Sequence, residues 1–367
     1  MSDQRRRKLA NLLVNYSTEV QPGDWVGILG EFNSLPILRD VHEAVLDAGG
    51  HPSLLIGDDQ MQRYFLRNAN DEQMNWIDPA LRRYTEEGDV YIRVGAPDNT
   101  RAMSSISAER MQASRAAQRE ILQTRLERSS RGEFRWVGAL YPTQASAQEA
   151  NLSLEEYEDF VYGACFCDAD DPAAEWRKLS AMQQQKVDFL AGKSRINLRG
   201  PNIDLELSIQ DRLFINSDGR RNMPSGEIFT GPVEDSVNGW VRFSYPAIVG
   251  GRAVSGIELR FVDGKVCDAS AEMNEDLLHA QLDTDAGARY LGEFAIGTNF
   301  GIDRFTGMIL YDEKIGGTIH MAIGMGYPET GSLNKSAVHW DMICDMREDS
   351  EIQVDGELFY RNGQFVR

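Results

Sequence analysis

The chain has 367 residues, of which 42% are hydrophobic, and its 38 lysines and arginines face 57 aspartates and glutamates for a formal net charge of −19. That length suits two hydrophobic cores rather than one, and the acidic surplus repels phosphate backbones, which argues against nucleic acid as a partner. No run reaches the ~20 uncharged apolar residues that span a bilayer, so no membrane segment is expected.

The opening stretch, MSDQRRRKLANLLVNYSTEV, is basic, but Asn11, Asn15 and Ser17 interrupt its apolar run. It predicts an amphipathic helix instead of a secretory leader. Asp24 to Leu29 is a short apolar run after a Gln-Pro-Gly turn, followed by helical spacing from Ser34 to Ala48 that Gly49-Gly50 ends. Strands are expected at Pro52–Ile56, Val90–Val94 and Phe134–Leu140, with one long polar helix over Ser107–Arg128. Gly27 and Gly30 lack the spacing of a nucleotide-binding loop and predict a tight strand-to-helix connection. Ser153 to Glu156 reads as a capping box, and Asp171 to Ala191 as a long amphipathic helix leaving the first domain. Cys165 and Cys167 are too isolated to bind zinc, and a reducing cytoplasm is the expected setting for a chain with four cysteines.

From Ser194 onward the texture changes. Arg195–Arg199, Asp204–Ser208 and Ile257–Val262 alternate apolar and polar residues with period two, between Gly-Pro, Asp-Gly and Gly-Gly turns. One helix is expected over Asn274–Ala288, and Phe359 to Val366 reads as a closing hairpin strand. The expected architecture is an α/β N-terminal domain with a largely parallel sheet over 1–172. A strand-rich α+β catalytic domain over 173–367 follows.

The residues with chemistry lie in this second half. His339-Trp340-Asp341 puts an imidazole and a carboxylate two apart, so on an extended strand both leave by one face and can grip one metal ion. His320 sits in the period-two segment Thr318–Gly324. Glu227 and Glu293 each follow a glycine, which lets another chain or a metal come close to the backbone. Glu313, in Tyr311-Asp312-Glu313-Lys314, fits a turn as well as it fits a ligand role. Two histidines with three or four carboxylates suit zinc, cobalt or manganese. Two such ions some 3.5 to 4 Å apart acidify a water and stabilise an oxyanion, which is machinery for hydrolysing an amide.

Met223-Pro-Ser-Gly-Glu227, Leu291 to Asn299, Gly317-Thr-Ile-His320, Tyr327 to Gly331 and Ser336 to Asp341 occur in that order. Together they resemble the thermophilic aminopeptidase family, the aminopeptidase T and aminopeptidase S type of metallopeptidase. The N-terminal half shares only the general layout. The resemblance implies a two-metal exopeptidase that removes N-terminal residues from peptides and works as a homodimer around an enclosed cavity. Carried over by motif, Glu227, Glu293, His320, His339 and Asp341 are the metal ligands, with Glu293 bridging. Glu293 or Glu313 carries the proton and Tyr327 adds a phenol at the oxyanion. The segment between Tyr327 and His339 is shorter than in the founding enzymes, so part of the substrate wall should differ. Ring-cleaving dihydroxypyridine dioxygenases look like distant relatives, and an alternative is one iron held by His320, His339 and Asp341. Such a site has no need of Glu227 and Glu293. A third reading is a metal-stabilised scaffold, which predicts a closed coordination shell.

Overall fold

The computed structural model describes residues 4–367. They form two compact units, 4–173 together with Gly219–Pro224, and Ala174–Asp218 together with Ser225–Arg367. The first is built on a parallel sheet ordered His51–Gly57, Trp25–Glu31, Val90–Gly95, Arg135–Leu140 and Asn222–Met223. Parallel neighbours need crossovers, and among the first four strands helices supply them. Val26, Ile28, Val90, Ile92, Val94 and Val137 are wholly buried, while helix Leu35–Asp47 buries Ile37, Leu38, Val41 and Val45. The expected N-terminal helix runs over Gln4–Asn11 and continues as a wider π turn, Leu12–Ser17; residues 1–3 of that stretch lie outside the described residues.

Three features of this unit differ from the sequence reading. Gly27 and Gly30 lie inside strand Trp25–Glu31, not in a turn after it. A Cβ on Gly27 would fall 2.4 Å from the Tyr84 ring, and one on Gly30 would fall 2.4 Å from Ser34 Oγ, so both glycines admit neighbouring side chains. The single helix expected over 107–128 is two, Ala108–Ala117 and Arg119–Ser130. Each half is tied to a different partner: Arg110 donates to the carbonyls of Leu66 and Ala69, and Arg128 to those of Thr85 and Gly88. Helices Asp59–Asn68, Asp71–Asn75 and Pro79–Glu87 were not expected, although Asp58, Asn70 and Asp78 cap them in the ordinary way.

The second unit holds an eight-stranded sheet, a five-stranded sheet and the small hairpin Ala247–Val249 with Arg252–Val254. The large sheets share one core, to which Ile196, Leu198, Leu205 and Leu207 contribute from the first and Ile228, Phe294, Ile319 and Met321 from the second. The helix expected over 274–288 is confined to Glu275–Leu282. It stops there because the Asp285 carboxylate takes the amides of Gly287 and Ala288, offering the backbone an alternative to the helical ladder. The chain closes with the hairpin Glu357–Arg361 and Gln364–Phe365, turned by Asn362-Gly363, both at positive φ. Among the described residues no helix is long and apolar enough to cross a membrane.

Candidate metal centre

The site is a consequence of strand register. In the five-stranded sheet Glu227 pairs with Gly297, Phe229 with Ala295, Ala295 with His320, Glu293 with Ala322, Ala322 with Asp341, and Gly324 with His339. Directly opposed residues of antiparallel strands share a face, so all five predicted ligands project from one side. Ile228, Phe294, Ile319, Met321, Ile323 and Met342 alternate with them and enter the core. The positions between ligands are Ala295, Ala322, Gly297 and Gly324, whose small size leaves room above the sheet. Both Gly-Glu glycines serve close backbone approach. Gly226 has φ +114° with a virtual Cβ 2.7 Å from that of Asn299, and at Gly292 a Cβ would fall 2.3 Å from the Met325 carbonyl oxygen.

Glu293 occupies the centre. Its Oε1 is 3.5 Å from His320 Nε2 and its Oε2 is 3.4 Å from His339 Nε2. Glu227 Oε2 lies 3.5 Å from His320 Nε2 on one side, and Asp341 Oδ1 lies 3.5 Å from His339 Nε2 on the other. The ligand atoms therefore fall into one group of Glu227, Glu293 and His320, a second of Glu293, His339 and Asp341, and a third of Glu313, His320 and Asp341. Each imidazole is oriented from behind: Nδ1 of His320 meets the Glu313 carbonyl at 2.8 Å, and Nδ1 of His339 meets the Met325 carbonyl at 2.8 Å. A carbonyl only accepts, so Nδ1 carries the proton and Nε2 is turned to the site.

The chain matches the family model of thermophilic metalloproteases, M29, over residues 2–365. It belongs to that family. It is similar to Aminopeptidase 2 of Geobacillus stearothermophilus, 27% identical over 405 residues covering 98% of this chain and 97% of that one. Aminopeptidase T of Thermus thermophilus is likewise 27% identical over 392 residues, covering 97% and 95%. The solved structure of wild-type AmpT from Thermus thermophilus superposes with a TM-score of 0.87 at 24% identity, covering 99% of each chain, and shares the fold. The dioxygenase alternative finds no support in these matches.

The donor set of this M29 chain fits divalent cations. Glu227 Oε2 and Asp341 Oδ1 are buried without a hydrogen-bond partner, an arrangement that desolvation makes costly unless a cation compensates it. Without one, protons take up part of the charge. Burial opposes the imidazolium of His320, yet Glu293 and Glu227 outweigh it and hold its pKa up at about 10. His339 is pushed up to about 9 against the same penalty, by Glu293 and Asp341. Burial raises Glu227 and Asp341, whereas Glu293, burial notwithstanding, is held well below the usual carboxylate range by the two imidazoles. A divalent ion must displace those protons, so binding is coupled to proton release.

Sequence reasoning missed the supports of this centre. Lys314 is wholly buried, with Nζ against the Glu313 carboxylate and 3.7 Å from Glu227 Oε1. Burial disfavours its ammonium, but Glu227 and Glu313 raise its pKa nonetheless. Gln183, buried on helix Pro172–Leu190, donates to the Glu227 carbonyl at 2.9 Å and accepts from Thr298 at 3.0 Å, tying the Glu227 strand to the helix. Tyr327 packs edge-on to His339, with ring centroids 5.3 Å apart, and to Phe229 at 5.5 Å; burial and the surrounding carboxylates raise its phenol pKa. The compact segment after Tyr327 is pinned by Glu234, whose carboxylate accepts from Leu333 N at 2.6 Å, Ser332 Oγ at 3.2 Å and Arg212 at 2.6 Å. Polar helix positions and an isolated glutamate give no sequence signal for such roles.

Proposed function

We propose that this chain is an aminopeptidase that hydrolyses the N-terminal bond of peptides with two divalent ions, zinc, cobalt or manganese. The observation that carries the reading is the Glu293 carboxylate, which presents one oxygen to each histidine and so joins two groups of donors. Charge favours two ions over one. Glu227, Glu293, Glu313 and Asp341 bring four negative charges against one from Lys314, so one divalent ion leaves the site anionic. Glu227, Glu293 and His320 would hold the first ion, and Glu293, His339 and Asp341 the second. The similarity to proteins named Aminopeptidase 2 and Aminopeptidase T supports the exopeptidase assignment. An identical partner chain and a cytoplasmic setting belong to the same reading, and four cysteines outside any disulfide are consistent with it.

When bound, the ions supply an acidified water, a Lewis acid for the scissile carbonyl and an anchor for the free α-amine. The chain's own groups manage protons and charge. Both Glu293 oxygens face histidines, so the proton carrier is Glu313, which Lys314 holds by one oxygen beside His320 and Asp341. Its carboxylate takes a proton from the attacking water as the new C–O bond forms, then returns it to the leaving nitrogen as the C–N bond breaks. The raised pKa of Tyr327 keeps its phenol protonated, and it donates to the oxyanion.

The test is metal content per chain, with release of the leaving group from leucyl anilide after loading with cobalt or zinc, in air and without it. Two ions per chain and hydrolysis independent of oxygen are expected. A single iron with no hydrolysis overturns the reading.

A further inference from the structure

Ile343 faces His320 across the ladder and stands two residues beyond Asp341, on the ligand-bearing face of the five-stranded sheet. Around it lies a cavity of about 140 Å³, lined by Ala247, Ile248, Phe305, Ile309 and Ile343, with His339 and Asp341 also in its wall. Ala247 and Ile248 come from the small hairpin strand Ala247–Val249, and Ile309 opens the short helix Ile309–Asp312 that leads into Glu313. The cavity therefore adjoins both the metal donors and the proposed proton carrier. Its wall is braced: Phe305 stacks on Tyr245 with ring centroids 5.3 Å apart, and Arg347 donates to the Tyr245 hydroxyl at 2.8 Å.

We propose that this cavity receives the side chain of the substrate's N-terminal residue and selects uncharged aliphatic and phenyl groups. The inference rests on the aminopeptidase reading and adds its specificity. Size sets the upper limit: an apolar cavity of about 150 Å³ is enough for a benzene ring, so leucine, methionine and phenylalanine fit and the indole of tryptophan does not. Lining sets the chemistry, because the side chains of Ala247, Ile248, Phe305, Ile309 and Ile343 strip water from a hydrocarbon side chain but cannot solvate an ammonium, and the polar part of the wall includes the proposed metal donors His339 and Asp341. Asp312 is the remaining carboxylate in the wall, and it is engaged within the fold. Its Oδ1 accepts from Thr306 N at 2.7 Å and Thr306 Oγ1 at 2.8 Å, and the residue is 1% exposed. It does not stand free to pair with a lysine or arginine side chain.

Two substitutions away from the metal donors test the assignment. Ala247→Leu fills the cavity, and Ile248→Ala, on the half-exposed rim, widens it. The metal-loaded protein and both variants, each with measured metal content, are assayed on alanyl, leucyl, phenylalanyl, tryptophanyl and lysyl anilides, then on dipeptides varied at the second residue. In the unaltered protein kcat/KM for leucyl should exceed alanyl by at least about 10-fold, with lysyl and tryptophanyl poor. Ala247→Leu should lower that ratio about 10-fold, and Ile248→Ala should raise tryptophanyl relative to leucyl. Unchanged ratios in both variants at normal metal content overturn the proposal, as does a preference for lysyl or one that follows the second residue. If Ala247→Leu fails to fold, Ile248→Ala decides. Absence of hydrolysis on every substrate by the metal-loaded, unaltered protein sinks the aminopeptidase reading itself and this inference with it.

Discussion

The two large sheets of the second unit share a core and a period-two alternation, yet their other faces meet opposite fates. In Ile203–Ser208 the apolar residues are buried while Asp204 and Glu206 face water. In Leu291–Gly297 and Thr318–Gly324 every residue is buried, Glu293 and His320 included. A solvated carboxylate costs little and its surface pair with arginine is worth at most about 1 kcal/mol. A buried one is tolerated only with a counter-charge, since breaking such a pair costs about 3 to 5 kcal/mol. The same sequence rhythm therefore marks solvent in one sheet and a candidate metal centre in the other, and burial decides between them.

The comparison breaks most visibly if the two faces are substituted alike. Glu227→Ala or His339→Ala should lower kcat/KM by at least about 1,000-fold and reduce bound metal, with circular dichroism unchanged. Glu206→Gln, on the solvated face, should leave both activity and metal content as they were. Equal effects from the two faces would undo the distinction.

Lys314→Met asks how much of the buried charge the protein itself compensates. In chelator the variant should lose about 3 kcal/mol in urea unfolding, and the deficit should shrink when cobalt saturates the site, because the cation then supplies the missing positive charge. An equal deficit with and without cobalt would assign Lys314 to packing alone.

A smaller, pH-dependent effect is expected at Glu234. Its carboxylate, held by Leu333 N, Ser332 and Arg212, has a pKa below its ordinary value; burial raises it, but those donors outweigh burial. A depressed folded-state pKa contributes stability above the unfolded value of about 4.3, and that contribution is lost as pH falls through the lower folded value. Glu234→Gln should cost about 1 to 2 kcal/mol at pH 7 and flatten the acid-side decline. A decline as steep as that of the parent chain would place its origin elsewhere.

Much of the site was legible because its chemistry sits in short motifs. His339-Trp-Asp341 requires a shared face on any strand, and the paired Gly-Glu segments announced close backbone approach, which the contacts at Gly226 and Gly292 display. Lys314 was not legible: next to Glu313 it reads as one half of a solvated charge pair, and nothing local says that it is wholly buried. Gln183 on its helix gave no hint of bracing the Glu227 strand. The caps Asp58, Asn70 and Asp78 were readable but stood before short helices that are polar overall, each burying only one or two residues. Ser107–Arg128 contains no glycine or proline to announce its break at Gln118.

By itself the sequence determined the order of layers, a parallel α/β half before an alternating strand-rich half, and the residue types able to hold a cation. These follow from local periodicity, turn chemistry and side-chain donors, all of which act over a few positions. Only the tertiary structure decided that each Glu293 oxygen meets a different histidine, that Lys314 offsets part of the negative charge from inside, and that Ala247, Ile248, Phe305 and Ile309 form a cavity against Asp341. Those outcomes depend on which strands pair, in what register and how deeply. They arise from contacts between residues tens of positions apart, which no local pattern encodes.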